Sequence, residues 1–120
     1  MRDSSGARET PKHYQNERHK MKQLNQRDAI HYIATRQEFK ASALMGSADV
    51  MSSGRLSGAE SEKYNKERDF INYVVYSYST PIAWHSIGGW YVVEQKFSQT
   101  TSKHQNYTRQ AIAESLQGAN

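Results

Sequence analysis

The chain predicts an α+β fold of two layers: a small antiparallel sheet built on one long β-hairpin and packed by two or three helices. Three observations carry this. The run from Asn72 to Ser98, NYVVYSYSTPIAWHSIGGWYVVEQKFS, concentrates the aromatic and β-branched residues in an alternating pattern. Helix signals precede and follow that run. Only 36% of the 120 residues are hydrophobic and none is cysteine, so a small core is held by packing alone. The chain supports one domain over residues 21–120, and a fold this small is drawn toward a partner or a homodimer.

Residues 1–20 form a basic arm. They contain Tyr14 as their sole aromatic and no Leu, Ile, Val or Phe, too little apolar surface to offset the entropy of ordering, so disorder is expected. The net charge of +4 arises in the first third of the chain. Residues 1–40 hold nine Lys/Arg against five Asp/Glu, and residues 41–120 hold seven of each. Such an arm is drawn to nucleic acid or to an acidic protein surface, although five acids among nine bases leave a weak field. The simpler reading is a solvated tail.

From Lys20 to Ala34, KMKQLNQRDAIHYIA predicts a helix with an irregular apolar stripe, including Met21, Leu24, Ile30 and Ile33. A short strand is expected over Glu38 to Leu44, where Phe39, Ala41 and Ala43 alternate with polar neighbours, then a Ser- and Gly-rich loop long enough to serve as a binding surface. Ser57 with Glu60 three residues on fits a capping box, placing a helix from Gly58 or Ala59 to about Asp69 with Tyr64 as its apolar anchor.

The hairpin's first strand puts Val74, Tyr76, Tyr78, Thr80, Ile82 and Trp84 on one face, the expected core face, and Tyr73, Val75, Ser77, Ser79 and Ala83 on the other. Pro81 cannot donate to the ladder, so it belongs at an edge or a bulge and divides Asn72 to Thr80 from Ile82 to His85. The two glycines of SIGG make the turn, and the second strand runs from Trp90 to about Ser98. Ser102, with Gln105 completing a box and Gly118 as terminator, predicts a final helix whose apolar face is Tyr107, Ala111, Ile112, Ser115 and Leu116.

No constellation in the chain demands a reaction. The five histidines are scattered with no H-x-H or H-E-x-x-H spacing, so no metal and no cofactor is expected. SGRLSG lacks the Gly-Lys-Ser/Thr ending of a phosphate loop, and no serine sits in G-x-S-x-G. The chain reads as a non-enzyme. One anion site has a physical basis: Thr101, Ser102, Lys103, His104 and Gln105 at a helix start, where free backbone N–H groups would hold a phosphate or carboxylate. The competing reading is that Thr101, Ser102 and Gln105 only cap the helix.

The hairpin carries more rings than one face of a small sheet buries, so Tyr76, Tyr78, Trp84, Trp90 and Tyr91, with Arg55 of the loop, are the expected partner-binding residues. Aromatic residues on a sheet also stack bases, but Lys96 is the one basic residue on these strands. No segment approaches the roughly 20 apolar residues of a membrane span, and the N-terminus has no apolar segment of the signal-peptide kind, so an intracellular location is expected.

YVVYSYSTPIAW at Tyr73 to Trp84, the strand Trp90 to Phe97 and the closing TTSKHQ at Thr100 to Gln105 together resemble a family of small tailed-bacteriophage proteins. Those proteins share a YVVYSYxTPIAW hairpin, a short Gly-containing turn and a T-T-S-x-H-Q motif. EFKASAL at Glu38 to Leu44 and Gly54-Arg55-Leu56 resemble the usual approach to that hairpin, so the likeness covers roughly residues 36–110. Here SIGG replaces a more polar turn. The resemblance implies a source and a class: a phage accessory protein in the cytoplasm of an infected bacterium, which binds and inhibits or redirects a host protein or protein–nucleic acid complex, as anti-defence inhibitors do. The alternative is a small nucleic-acid-binding protein using residues 1–40.

Overall fold

Among the described residues six strands form one sheet in which spatial order follows chain order. The computed structural model describes residues 22–118. The elements are β1 (Lys22–Gln23), α1 (Gln26–Ala34), β2 (Phe39–Ala41), β3 (Leu44–Ser47), α2 (Gly58–Glu67), a 3-10 turn (Arg68–Phe70), β4 (Ile71–Ser77), β5 (Thr80–Ser86), β6 (Gly89–Val92) and α3 (Gln99–Gly118). β1 runs parallel to β2 and every other neighbouring pair is antiparallel. The fold class is α+β, and no helix of the described residues is long and apolar enough to cross a membrane. The expected disordered arm, residues 1–20, lies outside the described residues.

The predicted single hairpin is a three-stranded meander. A turn at Tyr78 and Ser79, both in the left-handed region with φ of 50° and 66°, separates β4 from β5. Two consecutive positive φ values twist the chain as tight hairpins require, a geometry usually advertised by Asn-Gly. Here it is hidden behind two residues with side chains. Ser42, at φ 57°, makes a similar break between β2 and β3, dividing the one strand expected over Glu38 to Leu44. Pro81 sits beside a register shift, because Val75 pairs with Ala83 while Tyr76 pairs with Pro81, leaving Ile82 as the inserted residue. β6 ends at Val92, well short of Ser98.

Successive side chains of β4 point to opposite faces, and both faces are covered. Tyr73 and Val75 join Phe39, Leu44, Ile82 and Ala83 against Ala29 and Ile33 of α1 and Ala111 of α3. Val74, Tyr76 and Trp84 join Leu56, Ile71 and Val93 against Tyr64 of α2. The layer of α1 and α3 is therefore matched by a thinner one made of α2 and its preceding loop. Ile82 reaches the α1 side instead of the face shared by Val74 and Trp84, because the bulge shifts its register by one.

Polar groups tie the thin layer down. Tyr64 Oη donates to Met51 O at 2.6 Å and Tyr76 Oη donates to Asp49 O at 2.6 Å while accepting from Met51 N. Arg68 adds bonds to Val50 O and Met51 O, both 3.0 Å. The long loop after β3 is thus pinned to the sheet. On the other face, Tyr73 Oη donates to Gln37 O by passing over Gly46, where a Cβ would lie 2.0 Å from that oxygen.

Helix starts differ from their expected signals. Ser57 caps α2 without a side-chain bond, and Glu60 does not close the expected box: it accepts from Tyr91 Oη at 2.5 Å and Glu94 N at 2.8 Å, while Ser57 N donates to Gln95 Oε1. α1 is shorter than expected and starts after Asn25, whose Oδ1 accepts from Asp28 N. Ser98, not Ser102, caps α3: its hydroxyl accepts from Thr101 N and its carbonyl from Ser102 N.

Candidate functional site

The segments singled out by the sequence converge at the end of the sheet that carries the β4–β5 turn. Gly54, at φ 56°, approaches so closely that a Cβ would lie 2.8 Å from Thr80 Cα, and the next amide, Arg55 N, donates to Thr80 Oγ1 at 3.0 Å. Only glycine permits both the backbone conformation and the approach. On the opposite side Tyr78 N donates to Ala43 O. The turn is clamped between two loops, and its first corner residue, Tyr78, remains 52% exposed.

Behind Tyr78 the chain builds a sealed polar cluster. Ser77 Oγ is hydrogen-bonded to His104 Nδ1 at 2.7 Å and to Thr101 Oγ1 at 3.0 Å. At the exposed rim of this cluster, Ser98 Oγ donates to Thr101 Oγ1 at 3.3 Å. The His104 ring lies between Tyr78 and Tyr107, each 6.4 Å away by centroid. Burial, with a smaller contribution from the Lys103 charge, holds the imidazole below its ordinary pKa. Ser77 and His104 are both closed to solvent, so this serine–histidine pair is a structural tie that a substrate cannot reach.

The expected anion site is thereby dismantled as a helix start. α3 begins three residues before Ser102, which moves His104 out of the first turn. Thr101, His104 and Gln105 face inward, and Gln105 Nε2 donates to Val93 O at 2.8 Å and Gln95 O at 3.3 Å. Lys103 stays at the surface and Ser102 is half-buried. The inward stripe of α3 is Thr101, His104, Gln105, Thr108 and Ala111, while Leu116, expected on the packed face, is 65% exposed. The spacing T-x-x-H-Q-x-x-T-x-x-A carries this information, but a polar stripe does not resemble a core until its partners are visible.

The aromatic surface also needs correction. Tyr76 and Trp84 are fully buried, so neither ring lies at the surface where it was expected. Trp84 fills the centre of its core, its ring 5.1 Å from both Tyr64 and Tyr91, with Nε1 donating to Glu67 Oε1 at 2.9 Å. Trp90 and Tyr91 are half-buried on the two faces of β6. Tyr91 lies under Lys63, 4.6 Å from the ring centre, and burial together with the Glu60 bond pushes its hydroxyl up to about 12. Trp90 packs edge-on to Tyr73 and His85, and its buried indole N–H has no acceptor among the described residues.

Of the predicted partner residues, Tyr78 and Arg55 remain at the surface. The Arg55 guanidinium makes no ion pair or hydrogen bond among the described residues. It borders an open cleft of about 330 Å³ with Gln95, Phe97 and Ser98. Gln95 closes the floor, donating to Arg55 O at 3.1 Å and accepting from Ser57 N at 3.0 Å. A second groove of about 330 Å³ lies at the opposite end of the sheet, where Phe70 and Ile87, 62% and 88% exposed, sit beside Lys63 and Tyr91. Nothing in the local pattern marked that pair, because Phe70 reads as a helix end and Ile87 as a turn residue. Among the described residues no three His, Asp or Glu side chains gather to hold a metal ion.

Neither a curated protein nor a solved structure matches the chain. A family model does match, over residues 21–115, the span that contains the whole described sheet, α1, α2, all but the last turn of α3 and both clefts. The chain belongs to this family, DUF8033, a family of unknown function.

Proposed function

We propose that the protein is a phage accessory factor that binds a host macromolecule and inhibits or redirects it, acting in the cytoplasm of the infected bacterium by protein–protein contact. The observation that carries this reading is the placement of Tyr78. It is more than half exposed in a left-handed backbone that costs a non-glycine residue about 1 kcal/mol, at the point where the Gly54-Arg55-Leu56, β4–β5 and α3 segments meet. A turn selected for stability alone would carry Asn or Gly there. Tyr and Arg are the residue types that dominate binding energy at protein interfaces, and Arg55 stands on the same end with its charge uncommitted.

The test is capture of host proteins by the tagged chain, comparing wild type with Tyr78→Ala and Arg55→Ala. A specific host protein retained by wild type and lost with either variant, at unchanged thermal unfolding, supports the reading. Recovery of nucleic acid alone, with binding abolished by removing residues 1–20, replaces it with nucleic-acid binding.

A further inference from the structure

We infer that the free edge of the sheet is a homodimerisation site, where β6 pairs antiparallel with β6 of a second copy to make a continuous twelve-stranded sheet.

The register of the β5–β6 ladder decides which backbone groups are available. Ser86 pairs with Gly89 and Trp84 with Tyr91, and Val93 N donates to Ile82 O at 2.8 Å. Gly89, Tyr91 and Val93 therefore direct their N–H and C=O groups toward β5. Trp90 and Val92 direct theirs outward. Those four groups have no partner among the described residues. Natural edges are protected by Lys, Pro, a bulge or a covering element, whereas Gly-Trp-Tyr-Val carries neither charge nor proline and pairs without a register shift.

A second copy satisfies all four groups in one register. A two-fold axis beside Tyr91 sets Trp90 opposite the other copy's Val92 and the reverse, closing four hydrogen bonds. Trp90, Tyr91 and Val92 are each half-buried in the monomer, so the same contact completes their burial. Charge favours this orientation too. Glu60 lies toward the Glu94 end of β6, through its bonds to Tyr91 Oη and Glu94 N, while Lys63 lines the groove at the Ile87–Gly89 end. Antiparallel pairing brings Lys63 of each copy, which also pairs with Glu67 of its own helix at 2.6 Å, alongside Glu60 of the other. The edge is only four residues long, so the interface falls below the roughly 1,200 Å² of standard complexes and the association is weak.

The test is sedimentation equilibrium of the full chain from about 10 μM to 1 mM, with Val92→Pro and Lys63→Glu. Wild type is expected to rise with concentration from 13.8 kDa toward twice that mass. Val92→Pro removes an N–H the monomer does not use, and is expected to hold the protein monomeric with an unchanged circular dichroism spectrum. Lys63→Glu sets like charges across the axis and weakens association roughly tenfold. Lys63 is half-buried and ion-paired with Glu67 of its own helix at 2.6 Å, so thermal unfolding of this variant is measured beside its mass, and a folded Lys63→Glu decides the matter if Val92→Pro fails to fold. A wild type that stays monomeric to 1 mM, or a dimer indifferent to a folded Val92→Pro or to Lys63→Glu, overturns the inference.

Discussion

Ser77 Oγ and His104 Nδ1 lie 2.7 Å apart across the interface of β4 and α3, both sealed from water. The bond joins the end of the central strand to the helix that covers it, where most folds of this size would place an aliphatic pair. Which atom donates in this bond depends on the imidazole tautomer. Burial lowers the His104 pKa in the folded state, so the unfolded chain takes up the proton first as pH falls. His85, lowered by burial and by the nearby Arg36 charge, acts in the same sense. Stability is expected to be full above about pH 6.5, the unfolded histidine value, and to decline below it. Urea titrations between pH 5 and 8 measure this, and His104→Gln is expected to flatten the slope.

Gly46 occupies the crossing point of Tyr73 and Phe39, where a Cβ would lie 2.0 Å and 2.6 Å from their side chains. Gly46→Ala is expected to destabilise by about 3 kcal/mol through overpacking. Tyr73→Phe removes the closest atom, so the double variant is expected to lose less than the sum of the single variants. A double-mutant cycle read by chemical denaturation checks the coupling.

Tyr78 and Ser79 hold left-handed conformations that Asn and Gly adopt with little or no strain. Replacing them together, Tyr78→Asn with Ser79→Gly, is expected to stabilise the fold by about 1 kcal/mol. The same pair of changes is expected to abolish the host-protein capture that the proposed function requires. Thermal unfolding and capture, measured side by side, reveal whether stability and binding move in opposite directions.

The loop after β3 depends on directional bonds more than on apolar contact. Tyr76→Phe removes the acceptor of Met51 N and the donor to Asp49 O, at an expected cost of about 2 kcal/mol. Amide exchange at Met51 is expected to accelerate more than exchange in β4, which reports local release of the loop and not global unfolding.

What the sequence made legible is what local chemistry determines. Alternating Val, Tyr and Ile marked the strands, Pro81 marked an irregularity that proved to be a bulge, and Tyr64 marked the buried side of α2. What it concealed depends on contacts between distant residues. The Tyr78–Ser79 turn has no glycine or asparagine to announce it. Glu60, spaced as a capping partner, serves Tyr91 and Glu94 from more than thirty positions away. Thr101, His104 and Gln105 read as a polar helix start because their partners, Ser77, Val93 and Gln95, lie on other elements. Ring density misled for a related reason: a second covered face absorbed Tyr76 and Trp84.

The agreement between strand order and chain order has a consequence for the nascent protein. Each strand emerging from the ribosome finds its neighbour already made, so the sheet can lengthen one strand at a time, through tight turns at β2–β3, β4–β5 and β5–β6 and through the longer connections that carry α1 and α2. α3 comes last. Until it arrives, Ala29, Ile33 and their surroundings lack their outer wall, and its docking completes the side of the molecule that α1 began.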